Sequence, residues 1–204
     1  MARIYIATSN QGKLRDFAAA AKPYAIEALS VPNFRVLPQA VEDAPTFETN
    51  AQKKAEHYSK YVPGQFILAD DSGLEVEALH GAPGIYSARY AASPAHPNAS
   101  DAENNGKLLQ ELSGVPDEKR QARFVCAIAV AKDEETMATF RGIASGQILH
   151  EPRGKGGFGY DPLFYFPSLD KTFAELTPEE KATVSHRGQA FRKFLQWFLD
   201  SDIR

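Results

Sequence analysis

Phe66-Ile67-Leu68-Ala69-Asp70-Asp71-Ser72-Gly73-Leu74 is the stretch on which the reading of this chain turns. Its apolar first half has the composition of a buried strand, and it runs straight into two adjacent carboxylates, a hydroxyl and a glycine. Unpaired carboxylates are costly to bury, so a strand that ends in them ends at water, at a cation, or at both. Successive strand residues face opposite sides, so a continued strand would present one aspartate to a given site. The other is expected to cap a turn made with Ser72 and Gly73. A cation site and a plain Asx turn are both open on these residues alone.

The chain has 204 residues, 43% hydrophobic and 24% charged. That is enough for one substantial core or for two small lobes sharing one, and a single domain over 1–204 is expected. Met1-Ala2-Arg3-Ile4-Tyr5-Ile6 enters a strand pattern at once, and no apolar run approaches membrane-spanning length. Cys126, the only cysteine, sits among Phe124, Val125, Ala127 and Ile128 and reads as a small buried apolar residue. No intrachain disulfide can form, which fits a cytoplasmic setting with no membrane partner. The formal net charge is −3 and no dense basic run occurs. An anionic partner must therefore meet a local cluster of cations, which favours a small phosphorylated ligand over nucleic acid. The five histidines have no zinc-type spacing among themselves or with Cys126.

Ile4-Tyr5-Ile6-Ala7 reads as a strand, Thr8-Ser9-Asn10-Gln11-Gly12-Lys13 as a polar turn, and Leu14 to Ala21 as a helix. That order aims backbone N–H groups and a positive helix end at an anion. A surface lysine after a tight turn is the plain alternative. A P-loop is excluded, because Ala7 and Leu14 stand where that motif needs glycine and Ser or Thr. After a strand at Ile26 to Ser30, Glu42 and Asp43 precede a helix in which Phe47, Ala51, Ala55 and Tyr58 form one apolar stripe. Asn50 and Lys54, four apart, share the neighbouring stripe. His57 reads as a solvated side chain, and Lys53 and Lys60 as surface charges.

Gly81 to Tyr90 is a loop rich in turn formers, and Ser100-Asp101-Ala102-Glu103 is a capping box. Arg123 to Ala131 and Thr136 to Ser145 predict an antiparallel hairpin, which Ile148-Leu149 extends. Gly154, Gly156, Gly157 and Gly159 crowd the loop before Asp161-Pro162. There Phe158 and Tyr160 could stack on a flat base or fold back onto the core. Thr177-Pro178-Glu179-Glu180 opens a helix carrying Lys181, expected to stop near Gly188. A last helix follows, with Phe191, Phe194, Leu195 and Phe198 on its apolar side.

Taken together, Thr8-Ser9-Asn10 with Lys13, Ala69-Asp70-Asp71-Ser72-Gly73-Leu74, Gly81 to Tyr90, Gly156 to Pro162, and Lys181 with Ser185-His186-Arg187 resemble the inosine triphosphate pyrophosphatase family. The blocks run in the family's order over nearly the whole chain. The resemblance implies an α/β fold with two lobes around a long central mixed β-sheet and a nucleotide-binding cleft between them. It also implies magnesium (Mg2+) as cofactor and a homodimer. The implied reaction is hydrolysis of noncanonical purine nucleoside triphosphates (ITP, dITP, XTP) to the monophosphate and pyrophosphate, clearing deaminated purines from the nucleotide pool.

By position, the resemblance makes Asp71 proton acceptor and metal ligand, and Glu42 a second carboxylate for the metal. Thr8, Ser9, Asn10, Gln11, Gly12, Lys13, Asn50, Lys54 and Ser72 would hold phosphates. Phe158, Gly159, Tyr160, Asp161, Lys181, His186 and Arg187 would hold the nucleoside. One departure stands out: Thr49 occupies the place of a family glutamate, and Glu48 points elsewhere on the helix. Two rival readings are a Maf-type nucleotide pyrophosphatase acting on modified pyrimidines, and a nucleotide sensor that does not turn its ligand over.

Overall fold

The computed structural model describes residues 2–200. In chain order the strands are β1 (Ala2–Ile6), β2 (Ile26–Ser30), β3 (Ile67–Val76), β4 (Gln121–Lys132), β5 (Glu135–Ile148), β6 (Phe164–Phe166) and β7 (Lys171–Thr172). The helices are α1 (Gln11–Ala21), α2 (Phe47–Ser59), α3 (Asp101–Glu111), α4 (Pro178–Val184) and α5 (His186–Asp200). The strand order is β2-β1-β3-β4-β5-β6-β7. β1 runs parallel to β2 and β3, whereas β6 is antiparallel to β5 and β7, so the sheet is mixed as expected. The chain forms two compact units, one of Met1–Asp71, Cys126–Ile143 and Pro178–Arg204, the other of Ser72–Val125 and Ala144–Thr177.

The quoted stretch holds a correction. β3 does not stop at the aspartates; it runs through Asp70, Asp71, Ser72 and Gly73 to Val76. No turn forms at Ser72 and Gly73 for either aspartate to cap. Within the second unit, the Leu74 N–H donates to Ser87 Oγ at 2.8 Å, and Leu74 and Val76 are fully buried. Burial and this long-range partner hold the segment extended.

The core of the first unit gathers Ile4 and Ile6 of β1, Phe17 of α1, Ile128 and Val130 of β4, and Phe191 and Phe194 of α5. Phe17 and Phe191 meet with ring centroids 5.5 Å apart. The α2 stripe of Phe47, Ala51, Ala55 and Tyr58 is buried as its spacing predicts. Gly188 corrects the second expectation. It does not end a helix but lies inside α5, which starts at His186 directly after α4. A Cβ at Gly188 would stand 1.9 Å from the Ala182 carbonyl oxygen, and one at Gly142 of β5 would stand 2.0 Å from that of His186. These two bare Cα positions let α4 and β5 press against the first turn of α5, where His186 and Arg187 sit.

In the second unit Phe124, Phe164 and Phe173 pack ring on ring, with centroids 4.6 to 5.8 Å apart. The capping box at Ser100 and Glu103 forms both of its bonds. β4 and β5 join through Asp133 and Glu134, both at positive φ, a two-residue turn that makes the pair antiparallel.

Arg120, buried in the second unit, donates its hydrogen bonds to backbone carbonyls. It donates to Ile148 O at 2.7 Å, Leu112 O at 2.9 Å and Leu149 O at 3.0 Å. It thereby satisfies the end of α3 and the end of β5 at once. Arg120→Met keeps the apolar bulk but strands those acceptors. A loss of about 3 kcal/mol, or roughly 8 °C in melting temperature, is expected by calorimetry; an unchanged midpoint would refute the clip.

Candidate active site

The turn from β1 into α1 organises itself before any ligand is considered. Thr8 Oγ1 accepts from the Asn10 N–H at 3.1 Å. Asn10 is the N-cap of α1, its Oδ1 accepting from Gly12 N at 2.8 Å and Lys13 N at 3.1 Å. The sequence left those N–H groups for an anion; the structure gives them to Asn10. What the turn offers instead is the exposed Ser9 and Gln11 and the ammonium of Lys13, which reaches Asp70 Oδ2 at 3.0 Å.

The two aspartates of β3 part company. Asp70 is 1% exposed and takes Lys13 and, at 3.4 Å, Arg187 Nη2 of α5. Arg187 Nη1 in turn meets Asp16 Oδ2 of α1 at 2.7 Å, and Lys181 of α4 lies 3.5 Å from the same oxygen. A continuous relay of charge thus runs Lys181–Asp16–Arg187–Asp70–Lys13. Burial alone would raise the Asp70 pKa, but Lys13, Arg187 and Lys54 outweigh it and hold the carboxyl well below the usual carboxylate range. Asp16 and Asp70 carry this relay, and sequence reasoning missed both roles. The only available signal for Asp16 was its i, i+3 spacing from Lys13 on α1.

Asp71 faces a different set. Its Oδ2 accepts from Asn50 Nδ2 at 3.0 Å, and Asn50 is itself fixed by Ala44, whose N–H donates to Asn50 Oδ1 at 2.9 Å. Lys54, one turn after Asn50 on α2, pairs with Glu42 Oε2 at 2.7 Å and donates to the Asp70 carbonyl oxygen at 3.1 Å. Burial raises the Asp71 pKa, Lys13, Lys54 and Asn50 pull it down, Glu42 adds a further push upward, and the upward pushes prevail. Glu42, Asn50, Lys54, Asp71 and Lys13 therefore share one neighbourhood, as the sequence reading requires.

These donors fit a hard divalent ion of the magnesium kind. Such an ion binds through one or two carboxylates and completes its shell with phosphate oxygens and water. Glu42 and Asp71 supply that partial set, and among the described residues no group of three or more His, Cys, Asp or Glu forms a closed cage. Thr49 contributes no carboxylate; its hydroxyl lies 2.9 Å from that of Thr46, the N-cap of α2. Glu48 pairs with Arg141 at 3.2 Å, and exposed Asp43 with Lys53 at 2.7 Å. His57 is half-buried, and its contact with the Pro38 carbonyl oxygen, 2.8 Å from Nε2, lies at the solvent-exposed surface.

Lys181, His186 and Arg187 are all buried. Burial is the main reason that the His186 pKa lies well below its usual value, with Arg187 and Lys181 adding to it, so the imidazole is neutral near pH 7.

Ser72, Phe158, Gly159, Tyr160 and Asp161 belong to the second unit. There the glycine loop is tied to α3: Gly159 N donates to Asp101 Oδ2 at 2.6 Å, and Gly159 O accepts from Asn105 Nδ2 at 3.0 Å. Gly157, at φ +71°, lets Asp161 fold under it, where Asp161 Oδ2 accepts from Phe158 N at 2.9 Å. Of the two aromatics proposed for stacking, Tyr160 is buried and donates its hydroxyl to Ser87 O at 2.8 Å, which is the folded-back alternative. Phe158 is half-buried.

The chain is similar to known proteins along nearly all its length. A dITP/XTP pyrophosphatase from Desulfotalea psychrophila is 52% identical over 187 residues, covering 92% of this chain and 81% of that one. Another from Desulforamulus reducens is 46% identical, covering 95% and 94%. Among solved structures, a HAM1 protein from Coxiella burnetii superposes with a TM-score of 0.83 at 41% identity, over 98% of this chain and all of that one. The Ham1 family model matches residues 4–197. By both sequence and fold, the chain belongs to the Ham1 family.

Proposed function

We propose that this protein hydrolyses deaminated purine nucleoside triphosphates such as ITP, dITP and XTP to the nucleoside monophosphate and pyrophosphate. The observation that carries the reading is the meeting of Glu42, Asp71 and Asn50 with Lys13 and Lys54, in a chain whose relatives bear the name dITP/XTP pyrophosphatase. Two carboxylates beside two ammonium groups form a place where a phosphate chain and a divalent ion fit together.

In this reading Asp71, held by Asn50, orients a water and accepts its proton as the water oxygen bonds to the α-phosphorus. The bridging P–O bond breaks and pyrophosphate departs in line. Lys13 and Lys54 take up negative charge on the phosphates. When bound by Glu42 and Asp71, Mg2+ supplies further neutralisation of the phosphate oxygens. Lys181, neutral His186 and Arg187 hold the nucleoside end, with Phe158 and Asp161 assigned to the base by resemblance. Donors aimed at a 6-oxo group are left unpaired by the amino group of adenine, a mismatch worth about 10⁴-fold. The same reading has the protein working in the cytoplasm as a homodimer, and light scattering measures that assembly.

The test is a panel of nucleoside triphosphates with and without Mg2+, reading pyrophosphate. ITP, dITP and XTP are expected to turn over about 10³-fold or more faster than ATP, and a chelator is expected to abolish the reaction. Equal rates on ATP, or turnover indifferent to chelation, would contradict it.

A further inference from the structure

A cavity of about 380 Å³ lies in the first unit, lined by Ser9, Phe34, Arg35, Leu37, Gln39 and Tyr58. The mechanism above does not use it. It nonetheless adjoins the phosphate side of the site on two counts. Ser9 is the middle residue of Thr8-Ser9-Asn10, the turn that leads to Lys13. Tyr58 stands one helical turn beyond Lys54, so Asn50, Lys54 and Tyr58 follow one another at spacings of four along the buried side of α2.

Arg35 is the one charged residue in the lining of this cavity. Lys13, Lys54, Lys181 and Arg187 each have a carboxylate partner. Arg35, exposed on a short 3₁₀ turn at Phe34–Val36, has no ion-pair partner among the described residues. Arg35, Ser9 and Gln39 line the same cavity, and a guanidinium fork, a serine hydroxyl and a glutamine amide are a donor set suited to phosphate oxygens. Phe34 and Tyr58, with ring centroids 4.5 Å apart, wall one side.

We propose that this cavity is a subsite for the terminal phosphates, which receives pyrophosphate as it leaves, with Arg35 as its cation. The proposal rests on the hydrolytic reading for its place in the reaction, but binding of the anion can be measured without turnover. Calorimetric titration with inorganic pyrophosphate, and separately with deoxyinosine monophosphate, compares the wild type with Arg35→Gln and Arg35→Lys. Arg35→Gln is expected to weaken pyrophosphate about tenfold and leave the monophosphate unchanged, with Arg35→Lys recovering part of the loss. Gln39→Glu, which puts a like charge on the cavity wall, is expected to act in the same direction and guards against a folding defect in any one variant. Pyrophosphate binding unchanged in Arg35→Gln, or an equal loss for both products, would overturn the subsite. Should the wild type fail to hydrolyse dITP while pyrophosphate binding still depends on Arg35, the hydrolytic reading falls and the subsite stands.

Discussion

Asp71→Asn is expected to lower kcat on dITP by about 10³-fold or more while weakening substrate binding by no more than about tenfold. The substitution is nearly isosteric, and the Asn50 amide that holds Asp71 Oδ2 at 3.0 Å can still donate to an asparagine oxygen. What is lost is a group able to accept a proton. Burial and Glu42 raise the Asp71 pKa against the pull of Lys13, Lys54 and Asn50. Stopped-flow turnover and calorimetric binding on the same preparation separate the two effects. A variant that binds and also turns over normally would remove Asp71 from the chemistry.

Asp70→Asn is expected to act on the fold as much as on the site. Its carboxylate is shared by Lys13 and Arg187, and Arg187 is almost wholly buried, so neutralising it leaves buried cations short of a counter-charge. A loss of about 3 kcal/mol follows, or roughly 8 °C in melting temperature. The sign with pH is definite. The folded pKa lies below the ordinary value, so the stabilisation is fully present above about pH 4 and drains away as pH falls toward the folded pKa. Melting curves in chelator should show the wild type weakening below about pH 4, and Asp70→Asn losing much of that acid dependence. Parallel curves for the two proteins would place the acid sensitivity elsewhere.

Sequence periodicity was sufficient wherever the determinants were local. The apolar stripe of α2, the capping box at Ser100 and Glu103, and the turn at Asp133-Glu134 each rest on residues within a few positions of one another. The failures were long-range. Nothing near Asp70 says that β3 runs unbroken through Ser72 and Gly73, because the partner that satisfies Leu74 is Ser87. Gly188 looks like a helix stop until the Ala182 carbonyl is seen pressed against it. Asp71, Glu42, Asn50, Lys54 and Lys13 were legible through the resemblance of their motifs. The relay through Asp16 and Asp70 was not, since the Arg187–Asp70 contact joins residues 117 positions apart.

Where water enters the triphosphate decides whether Asp71 acts at the α-phosphorus. Hydrolysis of dITP in ¹⁸O-labelled water with Mg2+, followed by mass spectrometry of the products, reads this directly. Attack on the α-phosphorus beside Asp71 predicts the label in deoxyinosine monophosphate and unlabelled pyrophosphate. Label in the pyrophosphate, or release of orthophosphate from dITP, would contradict it.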